Sequence, residues 1–210
     1  MESYEWRPLV RRAAAIELAA LATLGVVAAV AFWSGTLVSC TTLTCYGAYL
    51  TTRMIPSAAL FKRLRGDALG IAARPRDERI ERFLTIAGSG LLAFYAGANA
   101  ALDLFEPRLD DDPLSLPGIA AALCAFALVA LILASQRPLG TRLATPAMRA
   151  SRTSASSSAA VTAVVVVALL LHVFIPEWWI DTTVDLGFAA LAGATIRAAL
   201  AQPGAARQGS

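Results

Sequence analysis

Six long apolar stretches alternate with charged segments along the chain. A helix that crosses a bilayer needs about 20 mostly apolar residues at a rise of about 1.5 Å each, and every stretch is roughly that long. The stretches are Ala13–Trp33, Leu37–Phe61, Phe83–Leu104, Leu116–Ser135, Thr153–Ile175 and Thr182–Leu200. The pattern therefore predicts an all-α fold, an integral membrane bundle of six transmembrane helices.

Composition favours a membrane protein over a soluble domain. Of the 210 residues, 57% are hydrophobic and only 16% are charged, which is too apolar for a soluble domain of this size. We expect residues 1–12 to be a cytoplasmic N-terminal segment, 13–200 the six-helix transmembrane domain and 201–210 a cytoplasmic tail. Because the first apolar stretch exceeds the core of a typical signal peptide, we interpret it as a retained helix.

The charged residues indicate an orientation. Arginine and lysine cluster before the first stretch, in the second and fourth connections and from the end of the sixth stretch onwards, all on one side of a six-pass chain; Arg108 is the only base in the opposite connections. The opposite connections are acidic and carry Asp103, Glu106, Asp110, Asp111, Asp112, Glu177 and Asp181. The positive-inside rule then predicts a multi-pass protein of the cell membrane with both termini cytoplasmic. The net charge of +3 is an orientation signal, and no nucleic-acid partner is expected.

A polar stripe interrupts the second apolar stretch. Its members are spaced three or four residues apart and are Thr41, Thr42, Cys45, Tyr49, Thr52 and Arg53. On a helix this spacing places them on one face, which must contact protein or water because lipid cannot satisfy polar groups. The second helix is therefore predicted to line the interior of the bundle.

Other polar residues lie within the apolar stretches. Glu17 is costly in hydrocarbon, and we expect either that it pairs with Arg53 or that both side chains extend to the headgroups. Asn99, in a stretch with Gly88, Gly90 and Gly97, favours close helix packing over ligand binding. Asp185 is a further intramembrane polar residue.

The 62–82 segment, between the second and third stretches, has mixed charges and is expected to be a solvated loop. The chain has one histidine and neither a nucleophile-elbow motif, a zinc-protease motif nor a phosphate-binding loop. We therefore expect that the protein is not an enzyme and needs no cofactor.

Four motifs in order give the chain a family resemblance. Ser34-Gly35 precedes Thr36-Leu37 at the second stretch, RPRDER precedes the third, and WWID leads into the sixth. The most specific motif is TPAMRASRTSASSSAAVT, at the start of the fifth stretch. Together they resemble the transmembrane domain of the cation diffusion facilitator family.

The resemblance implies a homodimeric exporter of divalent cations, chiefly zinc, with a metal site formed by the second and fifth helices. The positions equivalent to the metal site are Cys45, Tyr49, Ser154 and Ser158. One thiol, one phenol and two hydroxyls lack the charge that offsets dehydration of a divalent ion, so we expect the site not to function. Two hypotheses remain: a cation efflux transporter with replaced ligands, for which zinc would be cargo, or a non-transporting membrane scaffold or regulatory partner that dimerises through the same bundle.

Overall fold

The computed structural model describes the backbone at residues 3–37, 40–69, 75–105, 146–174 and 178–201, and at scattered positions between 120 and 134. Within these helices the side chains of 1–9, 67–68, 75, 146–155, 172–173 and 178 are not described. Every described residue except Cys40 is helical. The all-α prediction is confirmed for this part of the chain.

Six helices follow the predicted order. Their bounds are α1 Ser3–Leu37, α2 Thr41–Leu69, α3 Pro75–Phe105, α4 at the helical positions between 120 and 134, α5 Pro146–Phe174 and α6 Trp178–Ala201. The predicted start of the second helix at Leu37 is wrong, because α1 continues through Leu37. A tight connection follows, in which the Cys40 amide donates to the Gly35 carbonyl oxygen at 2.9 Å.

The expected solvated loop at 62–82 is also wrong for residues 62–69 and 75–82, whereas residues 70–74 lie outside the described residues. Helix α2 continues to Leu69 and α3 already begins at Pro75. Mixed charges are compatible with helix here because they pair across the two helices: Lys62 Nζ lies 2.9 Å from Asp77 Oδ1, and Arg63 Nη2 lies 2.7 Å from Glu81 Oε2. Such solvent-accessible pairs contribute little stability each, but they give the charges of both helix ends opposite partners.

Three of the described helices are long and apolar enough to cross a membrane. The segments are Val10–Leu37 in α1, Arg76–Phe105 in α3 and Trp179–Ala201 in α6. In α5, the apolar helical segment Ser156–Leu171 is shorter. Helix α2 does not meet the same criterion among the described residues, because its polar stripe lowers its mean hydropathy.

Helix α2 is central to the described bundle and contacts α1, α3, α5 and α6. It approaches α1 closely at Gly47, where an added Cβ would lie 2.9 Å from the Phe32 nitrogen and 3.0 Å from the Ala28 oxygen. The absence of a side chain at Gly47 lets the two backbones touch. The main core then joins Leu50 of α2 to Val165 of α5 and to residues of α1, α3 and α6.

Candidate functional site

The polar stripe of α2 is buried between helices. Thr42 and Cys45 are 0% exposed and Tyr49 is 3% exposed, while Thr52 and Arg53 are half-buried. Because α2 is surrounded by other helices, the face that the sequence marks as polar contacts protein. The prediction that this helix lines the interior of the bundle is confirmed.

A hydrogen-bonded chain joins α2 to α5 near the centre of the core. The Tyr46 hydroxyl lies 2.8 Å from Thr162 Oγ1, and Thr162 Oγ1 donates its own proton to the Ser158 carbonyl oxygen at 2.7 Å. A hydroxyl has only one proton to give, so Tyr46 is the donor to Thr162. Both side chains are buried, and each hydroxyl is satisfied inside the bundle.

One to two turns along α2, Arg53 makes a second link to α5. Its Nε donates to the Tyr49 hydroxyl at 3.0 Å, and its Nη2 donates to Ser157 Oγ at 3.0 Å. The guanidinium carbon also lies 5.5 Å from the centroid of the Tyr49 ring, a cation–π distance. The α2–α5 contact therefore contains a permanent positive charge supplied by the protein.

Of the four predicted metal positions, three have side chains that the structure describes. Cys45, Tyr49 and Ser158 are buried, whereas the Ser154 side chain lies outside the described residues. Cys45 lies beside Asp185 of α6, and the Tyr49 hydroxyl accepts from Arg53. Among the residues that can be described, no group of three or more His, Cys, Asp or Glu side chains is arranged to hold a metal ion.

Two aspartates that the charge pattern assigns to outer connections are buried instead. Asp181, in the first turn of α6, is 9% exposed and accepts a hydrogen bond of 2.6 Å from Thr42 Oγ1. Asp103, near the end of α3, is 7% exposed. The expectation is wrong for both because each lies in a helical turn that packs against a neighbouring helix. The remaining acidic outer residues, Glu106, Asp110–Asp112 and Glu177, lie outside the described residues.

Asp185 lies one turn further into α6 and is the most deeply buried carboxylate. It is 0% exposed, and neither carboxylate oxygen has a hydrogen-bond partner in the described part of the chain. Cys45 and Thr41 of α2 are close enough to interact with it but do not reach hydrogen-bond geometry. The four-residue spacing of Asp181 and Asp185, which places both on one helix face, was the available sequence signal for this acidic pocket.

The other polar residues of the predicted membrane stretches lie in different surroundings. Glu17 is 2% exposed and makes an interaction within the protein; the Glu17–Arg53 pair stays a prediction. The Asn99 side-chain nitrogen is buried without a partner among the described residues. Of the three glycines near it, Gly88 packs against Thr52 of α2, whereas Gly90 and Gly97 face open space.

Comparison with protein-family models and with curated proteins finds no match for this chain.

Proposed function

We propose that the chain is a multi-pass membrane protein that acts as a non-transporting scaffold or regulatory partner. The α2–α5 position, which is the place between these two helices where the family resemblance puts the metal, contains the Arg53 guanidinium instead of a divalent metal ion. The guanidinium bonded to Tyr49 and Ser157 is the observation that carries this proposal. It lies on the helix pair to which the family resemblance assigns the metal.

Electrostatics support the exclusion of metal. Two unit charges about 4 Å apart interact by roughly 4 kcal/mol at an effective dielectric of about 20, and a divalent ion doubles that to about 8 kcal/mol. Structural zinc sites bind with roughly 10–16 kcal/mol. A guanidinium next to the site would therefore cancel much of the binding free energy even of a complete ligand set, and this ligand set is incomplete.

The membrane part of the proposal has six spans, with both termini cytoplasmic and the bilayer as the surrounding partner. Three described helices can span, and the largest apolar side chains of α3 are strongly exposed, with Phe94 77% and Phe105 86% exposed. Such side chains suit contact with lipid. The distribution of arginines supports the orientation. Dimerisation and the absence of enzymatic activity remain part of the proposal on sequence grounds.

A cation transporter of the cation diffusion facilitator type is the second candidate. The buried acidic pocket around Asp185 favours it, because intramembrane carboxylates often mark ion pathways. If the chain is such a transporter, the ion would pass between α2, α3 and α6. The Arg53 contacts at the α2–α5 position would then only hold these two helices together.

Zinc binding to metal-stripped protein in detergent, followed by calorimetry, tests the proposal. We expect the unmodified protein to bind zinc weakly or not at all, with any binding dependent on Cys45. The quadruple variant Cys45→His, Tyr49→Asp, Ser154→His and Ser158→Asp introduces the family's ligands, and adding Arg53→Met should strengthen its zinc binding. Tight zinc binding by the unmodified protein that is lost in Cys45→Ser would overturn the proposal.

A further inference from the structure

The strongest unexplained feature of the bundle is the state of the Asp185 carboxylate. Its two oxygens are buried and have no hydrogen-bond partner among the described residues. Asp181 has the Thr42 hydroxyl as a donor, and Asp103 also has a polar partner. Asp185 is thus the one member of the acidic pocket formed by Asp103, Asp181 and Asp185 whose oxygens are left open within the described structure.

Among the described residues, no positively charged group contacts Asp185. From α2 it faces the Cys45 thiol and the Thr41 hydroxyl, and the charged groups that act on it most strongly are Asp181 of its own helix and Asp103 of α3. Arg53 lies two turns away along α2 and donates to Tyr49 and Ser157. Asp185 itself is therefore left without a cation from the described parts of these three helices.

A buried carboxylate with no counter-charge and no hydrogen bond is one of the least favourable arrangements in a protein interior. In a bilayer the cost is not relieved by water, and such residues commonly mark ion or proton sites. One added positive charge would remove the penalty and would satisfy the open oxygens.

The donor set indicates the charge of an ion that would fit beside Asp185. A divalent transition metal needs several strong ligands, and no such group occurs among the described residues. One carboxylate with a nearby hydroxyl suits a single positive charge, since a proton needs one oxygen and sodium accepts carboxylate and hydroxyl oxygens. Sites for these two ions in transporters are also built within the bundle between helices.

We propose that the acidic pocket between α2, α3 and α6 binds one small monovalent cation, a proton or a sodium ion, on the carboxylate of Asp185. Asp181 lies one turn nearer the start of α6 and is 9% exposed. Its carboxylate therefore attracts the cation on the way to Asp185. Cys45 borders both this site and the α2–α5 position, but the carboxylate that binds the ion lies on α6, and the proposal does not depend on whether the α2–α5 position excludes zinc.

Two measurements on the purified full chain distinguish the two ions. In the sodium measurement, the melting temperature is followed as sodium replaces choline at constant pH and ionic strength. A sodium site gives a saturable rise that is lost in Asp185→Asn and retained in Asp77→Asn, a control at an aspartate outside the acidic pocket. In the proton measurement, infrared spectroscopy in sodium-free buffer detects the carbonyl band of a protonated, buried carboxyl group near neutral pH, which should disappear in Asp185→Asn and persist in Asp77→Asn.

A signal from either ion that is lost in Asp185→Asn and persists in the control variant supports the site and identifies its ion. If Asp185→Asn does not fold, both measurements on the unmodified protein still test the proposal, and isotope-labelled aspartate assigns the infrared band to an aspartate. Absence of both the saturable sodium effect and the protonated carboxyl band in the unmodified protein would overturn the proposal. So would either signal if it survived unchanged in a folded Asp185→Asn variant.

Discussion

Removal of the Thr42 hydroxyl tests the contact between α2 and α6 that closes the acidic pocket. The substitution Thr42→Val keeps nearly the same shape and deletes the donor that lies 2.6 Å from Asp181 Oδ1. Both side chains are buried. Hydrogen bonds to charged groups contribute about 1.5–3 kcal/mol, so we expect Thr42→Val to lower the free energy of unfolding by about 2 kcal/mol.

Thr44→Val is the matched control. Thr44 is on the same helix and buried to 5% exposure, but its hydroxyl donates to the Cys40 carbonyl oxygen at 3.1 Å, which already accepts the Thr44 amide. Because no acceptor is left unpaired when this hydroxyl is removed, we expect the control to change stability by less than about 0.5 kcal/mol. The comparison cancels the common effect of exchanging a hydroxyl for a methyl group.

Unfolding in mixed micelles with increasing denaturing detergent measures both variants. A double-mutant cycle of Thr42→Val with Asp181→Asn isolates the pair from the other interactions of Asp181 and should give a coupling of about 1–2 kcal/mol. Equal losses in Thr42→Val and Thr44→Val, or a coupling near zero, would refute the placement of Asp181 against α2.

Three further predictions concern packing, the buried charges and topology. Gly47→Ala should destabilise the protein by about 1–3 kcal/mol because its Cβ would overlap the α1 backbone, whereas Gly90→Ala, with no atom within 4 Å of the added Cβ, should be neutral or slightly stabilising in melting experiments. If Glu17 and Arg53 pair, replacing either one should cost about 2–3 kcal/mol and replacing both should restore much of the loss; additive losses in melting temperature would instead support two separate partners. A reporter fused after Ser210 should read cytoplasmic, and an outward reading would mean that the number of spans is not six.

The sequence predicts much of the fold because long apolar runs allow few alternatives in a bilayer. The run from Phe83 to Leu104 lies inside α3, and the buried stripe of α2 has the expected spacing. The charged segment after Phe61 could not be assigned from composition. Lys62 and Asp77 are each compatible with a loop, and only their pairing across α2 and α3 shows why both helices extend.

The candidate sites were harder to predict because they depend on how helices face one another. Hydropathy places Asp103 and Asp181 at the ends of apolar stretches, where they resemble loop charges, and their burial follows from packing of α3, α2 and α6. Likewise, the stripe spacing indicates that Arg53 lies on the polar face of α2. It does not reveal that Ser157 of α5 accepts a hydrogen bond from it, since that requires the register between the two helices.

Zinc flux into proteoliposomes tests most directly whether the α2–α5 position is closed to divalent metal. Purified protein is reconstituted around a trapped zinc-sensitive dye, with and without a pH gradient, beside protein-free liposomes. We expect zinc entry by the unmodified protein to equal that of protein-free liposomes under both conditions. Saturable zinc entry that requires the protein and is abolished by Cys45→Ser would contradict the claim that Arg53 occupies this position in place of a transported metal.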